Sequence, residues 1–296
     1  MPAPDPLKPR TGDSANAPPV RDPAGPPLVS VVIAAYEEGR HVEACLESLS
    51  EQTYPHLEVV LVDDGSTDGT AEIAARLPGV RVLRQAHLGA AIARNLGASA
   101  SGGDILVFLD ADMLFPPPFI EHLVAPILEE GVTGTFTKEI MVANPDRRWA
   151  RAHMLGRGLP PDTHFHPGFP DHWEIFRAVR TEAFNRVGGF DEVGHGEDVT
   201  LGRKLGEQAV AAPGTLCWHY EPETLGDIFA SARWLGRGER VQEEGRGTSL
   251  RPWRLAATAL SLAREHRMPS LFVYRVTWDV GKILGWLTRG TSSSAK

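Results

Sequence analysis

Two carboxylates one residue apart, Asp110 and Asp112, close the apolar run Ile105-Leu106-Val107-Phe108-Leu109. A buried strand ending in such a pair puts acid at the carboxyl edge of a sheet, where open α/β sheets bind ligands. A hard divalent cation carrying a nucleoside diphosphate takes few protein ligands, because phosphate oxygens and water fill the rest of its shell. Asp110-Ala111-Asp112 suits that task, although Asp-x-Asp also recurs in ordinary turns. His219, in Cys217-Trp218-His219-Tyr220, reads either as a structural histidine or as a further metal ligand beside Asp112.

Asp64 follows a second apolar run, and its carboxylate is placed to accept from a base N–H or a ribose hydroxyl. The same segment, Asp63-Asp64-Gly65-Ser66-Thr67-Asp68-Gly69, is a turn rich in capping residues, and Asp68 reads as a cap. Arg94 offers a fork that suits pyrophosphate oxygens, or else an ion pair with Asp63 or Asp110. Further on, Gly188-Gly189-Phe190-Asp191-Glu192 precedes Gly194-His195-Gly196-Glu197-Asp198. Acid at a helix start stabilises the helix dipole, while glycines let backbone pass close to a ligand. A general base needs a carboxylate near the hydroxyl it deprotonates. Asp198 fits that role, with Glu197 as the alternative. His164, His166 and His172 match no common structural zinc spacing; they read as part of an acceptor-side loop.

These groups need a scaffold that gathers them. Apolar runs at 29–35, 57–62, 80–83 and 105–109 read as strands, and apolar residues at helical spacing mark 38–51, 70–77, 90–100 and 119–129 as helices. Strand and helix thus alternate four times, the pattern of a parallel sheet covered on both faces. Right-handed crossovers align the strand ends, so Tyr36-Glu37, Asp63-Asp64 and Asp110-Asp112 are expected to converge. Beyond residue 130 the periodicity weakens. Residues 131–141 look like strand, 156–172 like a long loop, 181–187 and 198–208 like helices, 216–220 like a strand, and the chain from 224 onward like helix.

The chain has 296 residues, room for one large domain with an appendage, and an ordinary apolar content. A net charge of −8 argues against a nucleic-acid binder. Residues 231–296, however, hold twelve Lys/Arg against five Asp/Glu. That basic end suggests an anionic contact, membrane surface or phosphate, or simply a solvated face. Residues 271–287 are apolar apart from a stripe of Arg275, Asp279 and Lys282. Such a helix packs on a core, self-associates as a homodimer, or lies peripherally on a membrane; Trp278 and Trp286 suit the last. No apolar run is long enough to span a bilayer. Residues 1–27 lack a signal-peptide core and read as a disordered tail, so a cytoplasmic location is expected. Cys45 and Cys217 have no metal spacing and read as buried free thiols.

Taken together, these motifs resemble an inverting family 2 glycosyltransferase of the GT-A fold. The matching stretches are Val29 through Glu38, Val62 through Thr70, Ala93-Arg94-Asn95-Leu96-Gly97-Ala98, Asp110-Ala111-Asp112, Gly188 through Glu192, and Gly196-Glu197-Asp198. The resemblance covers residues 29–225 with motifs in order. It implies a Rossmann-like, mostly parallel α/β domain over 28–225, followed by a helical extension over 226–290 and a short tail, 291–296. It implies that Ala35, Tyr36 and Glu37 line the base and ribose pocket, that Asp64 meets the base, and that Arg94 lies near the nucleotide. Asp110 is implied at the ribose or metal, Asp112 on Mn²⁺ or Mg²⁺ directly, Asp198 as catalytic base, and His219 as a further metal ligand. The implied partners are a nucleotide-sugar donor, most often UDP-linked, and an acceptor hydroxyl on a sugar, a lipid-linked acceptor or a small molecule. Polysaccharide, glycolipid and glycosylated-metabolite assembly all remain open. Segments like the one bearing Arg233, Arg237 and Arg240 lie over the donor site in related transferases.

The chain departs from the family at 170–177, where Trp173 is set either to stack on a sugar or to fill core. Two other readings fare worse. A nucleotidyltransferase calls for a glycine-rich loop with a basic residue after the first strand, and Ala34-Ala35-Tyr36-Glu37-Glu38 has none. A binding module without catalysis calls for loss of Asp112 or Asp198, and both are present.

Overall fold

A computed structural model of the protein describes residues 25–166, 168–193, 196–242 and 252–287. The first half alternates as its periodicity predicts: β1 (Val29–Ala35), α1 (Val42–Ser50), β2 (Leu57–Asp63), α2 (Thr70–Ala74), β3 (Val80–Arg84), α3 (Ala90–Ala100) and β4 (Ile105–Asp110). There follow β5 (Met113–Leu114), α4 (Phe119–Glu129), β6 (Gly134–Phe136), β7 (Ile140–Val142), α5 (Arg148–Gly156), β8 (His172–Trp173), β9 (Ala178–Arg180) and α6 (Thr181–Arg186). The remainder holds α7 (Asp198–Leu205), β10 (Ala209–Ala211), β11 (Cys217–His219), α8 (Leu225–Gln242), α9 (Pro252–Glu265) and α10 (Ser270–Leu287).

The main sheet has the order β3-β2-β1-β4-β9-β6-β10-β8. It is parallel through β3, β2, β1 and β4, and mixed beyond, where β9 runs antiparallel to β4 and β6. Period-two burial divides β1 between two cores. Val29, Val31 and Ile33 pack with Cys45 and Leu46 of α1 and Ile120 and Leu123 of α4. Val32 joins Leu106, Phe108, Phe184 and Leu201 on the other face. Helix α3 can lie close on that face because Gly97 has no Cβ, which would sit 2.4 Å from Val32 Cγ1.

Register then does the gathering. Ala35 pairs with Asp63, and Ala34 with Asp110, so three strands end abreast. A small sheet, β5-β11-β7, sits beyond that edge. In it His219 pairs with Met113, one residue past Asp112, and Tyr220 N–H donates to the Asp112 carbonyl at 2.9 Å.

The single strand expected at 131–141 is two, because Thr137 leaves the main sheet to donate its hydroxyl to the Thr215 carbonyl, and β7 joins the small sheet. Helix α7 stops before 208 because Gly206 turns left-handed at φ 68°. Helix α2 ends at Ala74 in tighter turns, Arg76 and Leu77 N–H reaching back three residues. Helix α5, β9 and β10 were not foreseen; α5 buries Ala150, Ala152, His153 and Met154, a weakly apolar face. Helix α10 lies on α8 and α5, and Leu271 and Tyr274 join Ile228 and Ala152 in a separate core. Cys45 and Cys217 are buried and free, as expected. Of the tail expected at 1–27, residues 1–24 lie outside the described residues, as do 288–290 of the expected extension and the tail expected at 291–296.

Candidate active site

Just past the end of β1, Tyr36 is 46% exposed and stacks on His87, centroids 4.0 Å apart. Ala35 is buried, its carbonyl accepting from Asp64 N–H at 2.8 Å. Glu37 adopts a positive φ of 58°. Its carboxylate accepts from the Thr67 N–H at 2.7 Å and hydroxyl at 3.0 Å, tying β1 to the turn after β2. Asp64 accepts from Gln85 Nε2 at 2.7 Å, Leu88 N–H at 2.8 Å and Gly89 N–H at 2.9 Å, with His87 Nδ1 also 2.9 Å away. That carboxylate therefore shapes the 85–89 loop beside the end of β2. Asp68, one residue before the N-cap Gly69 of α2, accepts from the Thr70 N–H and from Gly39 N–H.

At the centre, Asp110 lies between two guanidiniums. Arg94 Nη2 approaches at 2.9 Å and Arg177 Nη1 at 2.8 Å. Burial alone would raise its pKa; Arg177 and Arg94 instead hold the carboxyl well below the usual range. Arg94 also donates to Glu197 Oε1 at 2.5 Å, so it pairs with Asp110 and not with Asp63. Glu197 is only 4% exposed and is committed to that ion pair. Asp198 opens α7, half-buried, and accepts from Val199 N–H; among the described residues no cation pairs with it. Asn95 clamps the glycine-rich turn, exchanging two 2.9 Å hydrogen bonds with the backbone of Phe190.

Arg177 was not singled out from sequence. Only the antiparallel pairing of β9 with β4, which seats Arg177 against Phe108, brings it to the edge.

Next to these, Asp112 Oδ2 lies 3.3 Å from His219 Nε2, and Asp112 Oδ1 is buried with no hydrogen-bond partner. Burial pushes the Asp112 pKa up. Burial would lower that of His219, but Asp112 and Glu221 raise it to about 9. Glu221 is buried among three histidines, His219, His164 and His153. Despite burial, His164 and His219 hold its carboxyl far below the usual range. Burial lowers the His153 pKa to about 4 and also lowers that of His164. Across from them Glu38 is raised by burial to about 6 and pairs with His41, which stacks on Tyr220.

The three loop histidines separate. His164 joins Glu221, while His166 and His172 are exposed, so they form no zinc set. Trp173 packs among Phe136, Phe165 and Phe169, the core alternative. The side chains of Arg237 and Arg240 lie outside the described residues.

An orphaned, buried carboxylate oxygen beside an imidazole nitrogen is a fitting donor set for Mn²⁺ or Mg²⁺. The edge thus combines a stacking ring, a cation-ready acid, a fixed guanidinium–carboxylate network and one unpaired carboxylate.

Residues 30–194 match the family described as glycosyl transferase family 2. Over 138 residues the chain is 41% identical to the uncharacterized glycosyltransferase YibD of Escherichia coli, covering 45% of this chain and 38% of that protein. Over 192 residues it is 33% identical to the succinoglycan biosynthesis protein ExoA of Rhizobium meliloti, covering 60% and 57%. The chain therefore matches well under two thirds of the length of these relatives. A solved structure, the mannosyltransferase PcManGT from Pyrobaculum calidifontis in complex with GDP-Man and Mn²⁺, shares the fold at TM-score 0.57 and 21% identity, covering 91% of this chain and 90% of that one.

Proposed function

The chain belongs to glycosyl transferase family 2, and from that premise we propose that it is a metal-dependent, inverting glycosyltransferase moving a sugar from a nucleoside-diphosphate donor, UDP-linked, to an acceptor hydroxyl. The observation that carries this reading is Asp112: a buried carboxylate oxygen without a partner, beside His219 Nε2, on the edge where Tyr36 and Asp64 also end.

Asp112 and His219 would hold Mn²⁺ or Mg²⁺, with Asp110 kept ionised beside them by Arg94 and Arg177. Bound there, the cation supplies Lewis-acid stabilisation of the departing diphosphate. Tyr36 offers a face on which a base stacks, and Asp64 with Glu37 fixes the turns around it. Asp198 takes the proton of the acceptor hydroxyl. The acceptor oxygen then bonds to the anomeric carbon from the face opposite the leaving oxygen, the anomeric carbon–oxygen bond to phosphate breaks, and configuration inverts. Glu197 is a poor base because its carboxylate is buried and already taken up by Arg94.

The role of ExoA in succinoglycan biosynthesis supports polysaccharide assembly as the setting. The GDP-Man complex of PcManGT keeps GDP-sugars among the donors to be tried, with Mn²⁺ as the first metal. We also place α10 peripherally on the inner face of a membrane. All its exposed residues, Phe272, Val273, Val276, Val280, Leu284, Trp286 and Leu287, are apolar. No helix among the described residues is long and apolar enough to cross a membrane.

The test is release of nucleoside diphosphate from a panel of UDP- and GDP-sugars in Mn²⁺, with wild type beside Asp198→Asn. One donor should turn over, and Asp198→Asn should lower the rate by about 10²- to 10⁴-fold. Equal rates for the two proteins would remove Asp198 from the chemistry.

A further inference from the structure

Glu221 is 3% exposed and stands behind the Asp112–His219 pair. Its Oε1 lies 3.1 Å from His219 Nδ1 and 2.6 Å from His164 Nε2, and its Oε2 lies 3.4 Å from His153 Nε2. Its backbone is fixed as well. The Glu221 N–H donates to Asn144 Oδ1 at 3.0 Å, and Asn144 Nδ2 donates to the Glu221 carbonyl at 2.9 Å. A buried carboxylate with this many polar neighbours costs too much to be left to chance, and the reaction set out above gives it no task.

An ionised carboxylate only accepts hydrogen bonds. A His219 ring that donates from Nδ1 to Glu221 keeps its Nε2 lone pair for a cation, and Nε2 is the atom that faces Asp112. Histidines that bind metals rely on such an outer carboxylate to set tautomer and ring orientation. His164 belongs to the segment between α5 and β8, and His153 to α5 itself, so one carboxylate joins three stretches of chain behind the cation position.

We propose that Glu221 is the positioning residue of the metal site: it orients His219 with Nε2 toward Asp112, with His164 and His153 packed against its other sides. This rests on the metal-dependent reading given above. His164, His219 and Glu221 bring ligand atoms within 4.8 Å of one another, so direct coordination of a cation by Glu221 is the rival that a test must separate.

The full chain is titrated with Mn²⁺, alone and with UDP or GDP, following free Mn²⁺ by electron paramagnetic resonance. Wild type, Glu221→Gln, His219→Ala and the double variant are compared. Glu221→Gln should weaken Mn²⁺ binding about 10- to 100-fold, and should add nothing once His219 is alanine. The same loss in both backgrounds would show that Glu221 binds the cation itself or merely supports the fold, and would overturn the proposal. So would an unchanged affinity in Glu221→Gln while His219→Ala weakens binding. If His219→Ala binds Mn²⁺ as wild type does, His219 is no ligand, and the metal site as drawn fails along with its positioning residue. Glu221→Asp keeps the charge but withdraws it by one methylene. It serves where the glutamine variant does not fold, with the same dependence on His219 expected.

Discussion

Neighbouring carboxylates at this site have opposite fates, set by what faces them. Glu197 and Asp198 are adjacent in sequence, yet Arg94 takes Glu197 and leaves Asp198. Glu197→Gln is therefore expected to lose stability while keeping turnover within about tenfold of wild type, the inverse of Asp198→Asn. Steady-state rates beside urea unfolding of both variants check this. Arg94 neutralises two acids, Asp110 and Glu197, whereas among the described residues Arg177 pairs with Asp110 alone. Arg94→Met should cost about 3–5 kcal/mol, the range for stranding a buried charge, and Arg177→Met less, because Asp110 keeps one partner. Equal losses in urea unfolding would contradict that ranking. The acids were legible because strand ends announce them; Arg177 was not, since it precedes a strand, β9, only three residues long whose neighbour in the sheet is distant in sequence. Nor was Glu221, which follows His219 by two residues and resembles any loop acid until three histidines converge on it.

Elements explain why so much of the donor half could be read. Strands β1 and β4 are nearly continuous apolar runs, and β2 becomes one after Glu58, because both faces are covered there, and their parallel register fixes where their ends fall. Helix α3 repeats its small residues against that sheet. Gly97→Ala should therefore cost about 1–3 kcal/mol by overpacking against Val32, measurable by urea unfolding. The acceptor half resisted reading because its strands are two or three residues long and its helix α5 buries a histidine. That histidine carries a pH signature. His153 has a folded pKa of about 4, depressed first by burial, against 6.5 unfolded. A depressed folded pKa contributes stability that is present above 6.5 and lost as pH falls toward 4, here at most about 3 kcal/mol. The difference in unfolding free energy between wild type and His153→Gln should shrink across that window; a constant difference from pH 7 to 4 would show that His153 is not buried neutral.

Across the whole molecule, the α8–α10 layer links the exposed apolar face of α10 to the proposed metal site. Tyr274 and Trp278 of α10 pack on His153, and His153 faces Glu221 behind His219. A surface that takes up α10 thus contacts a helix whose other face supports the chemistry. Wild type is expected to float with phosphatidylglycerol vesicles, and the double variant Val276→Glu, Val280→Glu to stay behind. If wild type stays behind as well, and elutes as a dimer that the double variant breaks, the face belongs to a second copy instead. Sequence located the apolar helix and its basic surroundings but not which side faces outward, because that depends on glycines 281 and 285 pressing against the α8 backbone. The central claim rests on Asp112 and its cation. The most direct measurement is nucleoside diphosphate release from the accepted donor, in Mn²⁺ and then in EDTA, by wild type and Asp112→Ala. Wild type should turn over in Mn²⁺, stop in EDTA and recover when Mn²⁺ is restored, and Asp112→Ala should be inactive throughout. Turnover that persists in EDTA, or in Asp112→Ala, would contradict a metal-dependent transferase at this edge.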